Sequence, residues 1–309
     1  MKTISIVNGP QAVPEIIQGC MRMPDLSDQD AAQVIKTAYE AGITFFDHAT
    51  CYGEDGAAER KFGRAFKLTG LKREDIFLQS KCGLRFERQE FDWTKENILA
   101  SVDESLERLQ TDYLDSLLLH RPDLLFDPKE VAQAFDELER TGKVRYFGVS
   151  NLMPLQIELL KKYVKQPLVF NQLQLSLEQS QLIDQPLYMN NKETDMSINR
   201  DGDALDYCRL HDITIQAWSP LQSGFFKGTF LDNPKFPELN TVLEKFAQRE
   251  GVTKAAIALA WILRHPAKMQ VIIGSMNPQH IEEAAQASKV NLSHHDWYEL
   301  YLAAGKYLP

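Results

Sequence analysis

YLDSLLLHRPDLLFDPKEVAQAFDELERTGKVRYFGVSN, residues 113–151, contains one complete repeating unit of this chain. An apolar run, YLDSLLL (113–119), leads into a helical stretch opened by Asp127-Pro128. The pair is an N-cap residue followed by a proline, whose fixed φ and missing N–H suit the first helical turn. Gly142 ends the stretch, and a second apolar run, VRYFGV (144–149), follows at once. Strand, amphipathic helix, strand is the pattern of a parallel βαβ unit.

The same alternation extends in both directions. Toward the N-terminus, residues 16–19 form a short run, followed by a helix from Ser27, with Asp30 in a capping-box-like position and Gly42 as the stop. ITFF (43–46) comes next, then a helical stretch over 57–68, then IFLQ (76–79) and a helix that Thr94 caps and that runs to Leu109. Toward the C-terminus the apolar runs are LVFNQL (168–173), ITIQAW (213–218) and QVII (270–273). The runs number eight, with helical segments between them, which predicts a (β/α)8 TIM barrel occupying 1–309 as one domain. Two long strand-to-helix loops are expected, 174–200 after the sixth strand and 219–238 after the seventh. Both belong on the face where barrel active sites lie. A doubly wound dinucleotide fold would need G-x-G-x-x-G, yet no two of the 16 glycines are two positions apart.

Composition is that of an ordinary globular chain, with 44% hydrophobic and 25% charged residues in 309. The net charge of −9 and the lack of a basic run argue against a nucleic-acid partner. No window has the ~18 uninterrupted apolar residues of a membrane span, and the N-terminus has no signal-peptide core. Cys20, Cys51, Cys82 and Cys208 form no C-x-x-C pair and read as reduced thiols, so a cytoplasmic location is the default expectation.

The strand ends carry the functional signal, because the C-terminal end of each barrel strand opens onto the active-site face. ITFF runs into Asp47, with Tyr52 five residues on; IFLQS runs into Lys81; LLL runs into His120. FGV ends at Ser150-Asn151, LVF at Asn171-Gln172, and the seventh run at Trp218. Each has an ordinary structural alternative: Asp47 as a turn cap, Tyr52 as a turn aromatic, Lys81 as a surface lysine, His120 as a structural histidine. Their recurrence at one end of successive strands favours a site.

General-acid catalysis by tyrosine is the chemistry this set suits. A free phenol has a pKa of about 10, and a neighbouring ammonium would lower it. Lys81, kept charged by Asp47, is expected to do so for Tyr52, while His120 polarises or orients a carbonyl oxygen. A metal site is disfavoured: His48 and Cys51 are three apart but lack a second close ligand pair, and His294-His295 read as an exposed helix start.

The blocks FFDHATCYG (45–53), QSKCG (79–83), LLLHRPD (117–123), GKVRYFGVSN (142–151), NQLQ (171–174), AWSPL (217–221) and VIIGS (271–275) together resemble the aldo-keto reductases, in that family's order and spacing. The resemblance implies reduction of an aldehyde or ketone by NAD(P)H on a (β/α)8 barrel without a Rossmann domain. It implies a catalytic tetrad of Asp47, Tyr52, Lys81 and His120, the set already found at the strand ends. Ser150, Asn151 and Gln172 would hold the nicotinamide carboxamide, Trp218 would stack on its ring, and Gly19, Cys20 and Met21 would flank it. Asp47 would also border that site. Ser219, Leu221 and Ser223 would follow the pyrophosphate, and Gly274, Ser275, His280 and Glu283 the adenosine end.

The chain departs from the family pattern where the 2′-phosphate is gripped. Gly274-Ser275 stands for a common Lys-Ser pair, His280 for an arginine and Ala284 for an asparagine. Imidazole holds phosphate less well than a guanidinium fork. NADPH is the expected cofactor, with NADH as the alternative. A small carbonyl compound is the expected partner. A cofactor-binding, redox-sensing regulatory subunit on the same barrel is the second functional reading, and the intact tetrad favours the enzyme.

Overall fold

In the computed structural model, which describes residues 1–309, the eight apolar runs form a closed barrel of parallel strands. These are β1 (Ile16–Gly19), β2 (Phe45–Asp47), β3 (Phe77–Cys82), β4 (Leu114–Leu119), β5 (Val144–Ser150), β6 (Leu168–Gln174), β7 (Thr214–Trp218) and β8 (Gln270–Ile273). Every strand pairs with its neighbour in sequence, and β8 closes onto β1. The surrounding helices are α1 (Asp28–Glu40), α2 (Ala57–Lys67), α3 (Lys95–Leu109), α4 (Pro128–Arg140), α5 (Pro154–Lys161), α6 (Gln181–Leu187), α7 (Ala204–Leu210), α8 (Pro237–Glu250), α9 (Lys254–Leu263), α10 (Pro278–Ala285) and α11 (His294–Ala303). No helix is long and apolar enough to cross a membrane.

The local signals act as read. Ser27, Thr94 and Asp127 cap α1, α3 and α4 by accepting from the backbone N–H of Asp30, Asn97 and Lys129. Helix α4 buries Val131, Ala134, Phe135 and Leu138, an i, i+3, i+4, i+7 stripe turned to the barrel. The second run differs from its expectation by two residues. Ile43 N–H bonds back to Ala38 O at 2.8 Å and Gly42 has φ +83°, so Ile43 belongs to the closing turn of α1 and the strand starts at Phe45.

Loop 174–200 is not bare chain, since it contains α6. The loop after β7 continues to Pro237, and two helices rather than one separate β7 from β8. An antiparallel hairpin (Thr3–Ile4 with Val13–Pro14) precedes the barrel. Its Ile6 and Val13 pack with Ile17, Phe45, Leu118 and Phe170 in an apolar plug distinct from the larger core between barrel and helices.

Between that plug and the opposite mouth lies a polar layer that sequence reading did not anticipate. Gln79 Nε2 donates to Gln216 Oε1 at 2.8 Å, Gln216 Nε2 to Gln270 Oε1 at 3.1 Å, and Gln270 Nε2 to the carbonyl of Pro14 at 2.7 Å. Ser116 Oγ donates to Gln79 Oε1 at 2.8 Å. Strand register brings these residues to one level, Gln79 beside Ser116 and Gln216 beside both Gln172 and Gln270. Buried amides survive because each finds partners.

Candidate active site

The polar layer ends on Asp47. Its Oδ1 accepts from Gln79 Nε2 (2.7 Å), Lys81 Nζ (2.8 Å) and Gln172 Nε2 (3.1 Å), and its Oδ2 from Lys81 Nζ (2.7 Å). Beyond Asp47 the chain keeps bonding to β3: His48 N–H reaches Gln79 O and Thr50 N–H reaches Lys81 O, both at 2.9 Å. This carries Tyr52 over Lys81, whose ammonium sits 4.8 Å from the phenol ring centre. His120, one residue past β4, is held by its N–H to Cys82 O at 3.0 Å, and its ring meets Tyr52 edge-on at 5.8 Å. Asp47, Tyr52, Lys81 and His120 are thus brought together.

One electrostatic expectation is overturned. Lys81 donates to both oxygens of Asp47 and, at 2.7 Å, to the carbonyl of His48, which uses all three of its N–H groups. None is left for the phenol. Burial, reinforced by the Asp47 charge, pushes the Tyr52 pKa well above its ordinary value rather than below it. The same burial, with Lys81 and Arg121 adding repulsion, pushes His120 well below the usual imidazole range. The site therefore holds a protonated phenol and a neutral imidazole side by side. His48 faces away from both, its ring edge-on to Phe62 of α2, with burial bringing its pKa down to about 3.

These groups open into a cleft of about 1880 Å³ at the C-terminal face of the barrel. Gly19, Met21, Asp47, Ser150, Asn151, Gln172, Trp218, Ser219 and Leu221 line it, and Gly274, Ser275, His280 and Glu283 continue it over α10. Asn151 (φ +59°) and Ser219 (φ +53°) adopt the left-handed conformation directly after β5 and β7, turning the chain sharply at the rim. Asn151 donates to Ser150 Oγ at 2.7 Å and accepts from the indole N–H of Trp218 at 3.2 Å, which fixes the indole in the wall. Two of the expected cofactor residues turn their side chains to the protein itself. Cys20 is fully buried with its thiol 3.7 Å from Gln18 O, and the Ser223 hydroxyl donates to the carbonyl of Gly228 at 3.1 Å.

The lining fits a nicotinamide dinucleotide. Gln172 spends its N–H groups on Asp47 and Gln216, leaving its Oε1 to accept from an amide. Gln174 Nε2 and Gln222 Oε1, on two cleft-lining residues, have no partner within the protein. At the far end, Ser275 Oγ and His280 Nδ1 are 3.3 Å apart.

Several cleft residues escaped the sequence reading. Arg22 Nη1 donates to Gly274 O at 2.9 Å, and a Cβ at position 274 would lie only 2.7 Å from that nitrogen. The guanidinium fills the space a side chain at 274 would need and puts a cation beside it. Arg121 sits over Trp218 at 5.8 Å with no carboxylate partner, and Phe225 meets the Trp218 ring edge-on at 6.0 Å. Arg121 directly follows His120, so the end of β4 marks its position in the sequence as well. Nothing in the spacing marks Arg22.

Comparison with known proteins agrees with this geometry. The model of the Aldo/keto reductase family matches residues 15–301. An uncharacterised oxidoreductase of Bacillus subtilis, YcsN, is 35% identical over 305 residues, covering 94% of each chain. A 6-dehydroglucose reductase of Agrobacterium fabrum is 34% identical over 304 residues, again covering 94% of each. Among solved structures, a thermostable aldo-keto reductase in complex with the inhibitor epalrestat superposes with a TM-score of 0.77 at 27% identity, covering 98% of this chain and 100% of that one.

Proposed function

The chain belongs to the aldo-keto reductase family of oxidoreductases, which use nicotinamide cofactors, and from that premise we propose that it reduces an aldehyde or ketone to the alcohol with NADPH, Tyr52 being the proton donor. The observation that carries this reading is the convergence, in one cleft, of Tyr52 and His120, their rings edge-on at 5.8 Å, above the buried Asp47–Lys81 pair. Reduced nicotinamide supplies the hydride. The chain's own residues then have separate tasks.

Tyr52 gives its phenolic proton to the oxygen of the carbonyl as that oxygen gains charge. His120 contacts the same oxygen and orients it, so two donors converge on the atom where negative charge develops. Asp47 and Lys81 form a neutral floor that leaves Tyr52 free to face the substrate. Ser150, Asn151 and the free Oε1 of Gln172 hold the carboxamide, Trp218 covers the ring, and Ser219 and Leu221 follow the pyrophosphate. Ser275 and His280 take the 2′-phosphate, with Glu283 on the adenosine, and Arg22 adds a cation beside Gly274. That set favours NADPH over NADH.

The experiment is a panel of aldehydes and ketones with NADPH and NADH, followed at the reduced-nicotinamide absorbance. Turnover faster with NADPH than with NADH supports the reading. Cofactor binding with no turnover of any carbonyl would instead favour a redox-sensing regulatory role.

A further inference from the structure

Cys51 is next to Tyr52 in sequence and against His120 in space. Its Sγ is 3.4 Å from His120 Nδ1, and this is the single hydrogen bond made by the imidazole ring within the protein. We infer that the Cys51 thiol sets the tautomer of His120, donating its proton to Nδ1 so that the ring carries its own proton on Nε2, where it can donate to the carbonyl oxygen.

The direction of the bond follows from the chemistry of the two atoms. The unprotonated ring nitrogen of a neutral imidazole is a good acceptor, whereas a thiol sulfur is a weak one. S–H donating to nitrogen is therefore the better of the two arrangements, and it leaves Nε2 as the N–H of the ring. Both groups are in the required state. Burial pushes the Cys51 thiol up to about 11, so it keeps its proton, and His120 is held neutral by burial and by the cations Lys81 and Arg121. The opposite tautomer would aim a lone pair from Nε2 at a carbonyl oxygen that is gaining negative charge, and repel it. Cys51 thus acts through His120, as a positioning residue.

The kinetic arm of the test rests on the reductase reading; the spectroscopic arm does not. Nitrogen-15 NMR of the ligand-free protein labelled at histidine reports which ring nitrogen of His120 is protonated, with His120→Gln assigning the signal. Wild type and Cys51→Ser, which keeps a donor, are expected to show Nε2–H alone. Cys51→Ala is expected to admit the Nδ1–H form and to lower kcat about fivefold to tenfold, the worth of one neutral hydrogen bond, with NADPH affinity unchanged and kcat recovered in Cys51→Ser. Nδ1–H in the wild type, or a Cys51→Ala protein with the wild-type tautomer, overturns the inference. So does a shifted tautomer with unchanged kcat. A wild type that reduces no carbonyl would contradict the reductase reading instead, and the spectra still decide the role of Cys51.

Discussion

Lys81 and Asp47 are joined by two contacts, 2.7 and 2.8 Å, at a depth where the lysine has no exposure to solvent. An isolated buried charge is strongly unfavourable, and this pair persists because Gln79, Gln172 and the carbonyl of His48 satisfy the remaining valences. The pair supports Tyr52 from below rather than titrating it.

Breaking it from one side should therefore show first as instability. Lys81→Met leaves the Asp47 carboxylate buried without its cation and is expected to destabilise the protein by roughly 3–5 kcal/mol. Lys81→Met combined with Asp47→Asn removes both charges and is expected to recover much of that loss. Urea unfolding of the single and double variants checks the pair, and a double variant no more stable than Lys81→Met would contradict it.

The pH dependence follows from the raised pKa of Tyr52. A group held above its ordinary value stays protonated until pH rises through the raised value, so the donor is present throughout the neutral and mildly alkaline range. kcat for carbonyl reduction is expected to stay level up to about pH 10, the ordinary phenol value. Alcohol oxidation, which needs the phenolate as acceptor, is expected to climb over the same range. A reduction rate that falls with a midpoint at or below about pH 10 would mean that the phenol titrates at or below its ordinary value.

The glutamine layer predicts a stability effect away from the cleft. Gln216 accepts from Gln79 and Gln172 and donates to Gln270. Gln216→Met fills similar space but leaves buried amides without partners, and each such group costs about 1–3 kcal/mol. The urea midpoint should fall accordingly. A midpoint equal to that of wild type would show that the layer re-pairs without Gln216.

This layer also shows where sequence reading stops. The grouping of Asp47, Lys81 and His120 is legible in the sequence because each breaks the apolar pattern near the end of a strand. Gln79, Gln172, Gln216 and Gln270 lie in four of the apolar runs, and a lone amide there gives no sign that three others share its height across the barrel. Register supplies that information, and register comes from closure of the sheet. The direction of the Tyr52 shift was hidden for a related reason. Sequence supplies an ammonium near a phenol, but not that Asp47 and the His48 carbonyl take all of its N–H groups. Family spacing puts Cys20 and Ser223 beside the cofactor but does not tell that their side chains bond to the nearby carbonyls of Gln18 and Gly228.

At the adenosine end, His280→Arg is expected to tighten NADPH by about tenfold or more, since a charge-assisted bond contributes about 1.5–3 kcal/mol. NADH affinity should change little. Titration of both cofactors by intrinsic tyrosine and tryptophan fluorescence checks this. Equal gains for the two would mean that position 280 does not face the 2′-phosphate.

The central claim is that Tyr52 donates the proton, and Tyr52→Phe in single turnover tests it most directly. With saturating NADPH and an aldehyde that the wild type reduces, the rate of reduced-nicotinamide loss is expected to fall by about 10²–10⁴-fold, while NADPH affinity stays within a few-fold of wild type. A variant that keeps most of the wild-type rate would contradict the assignment and move the proton donor elsewhere in the cleft.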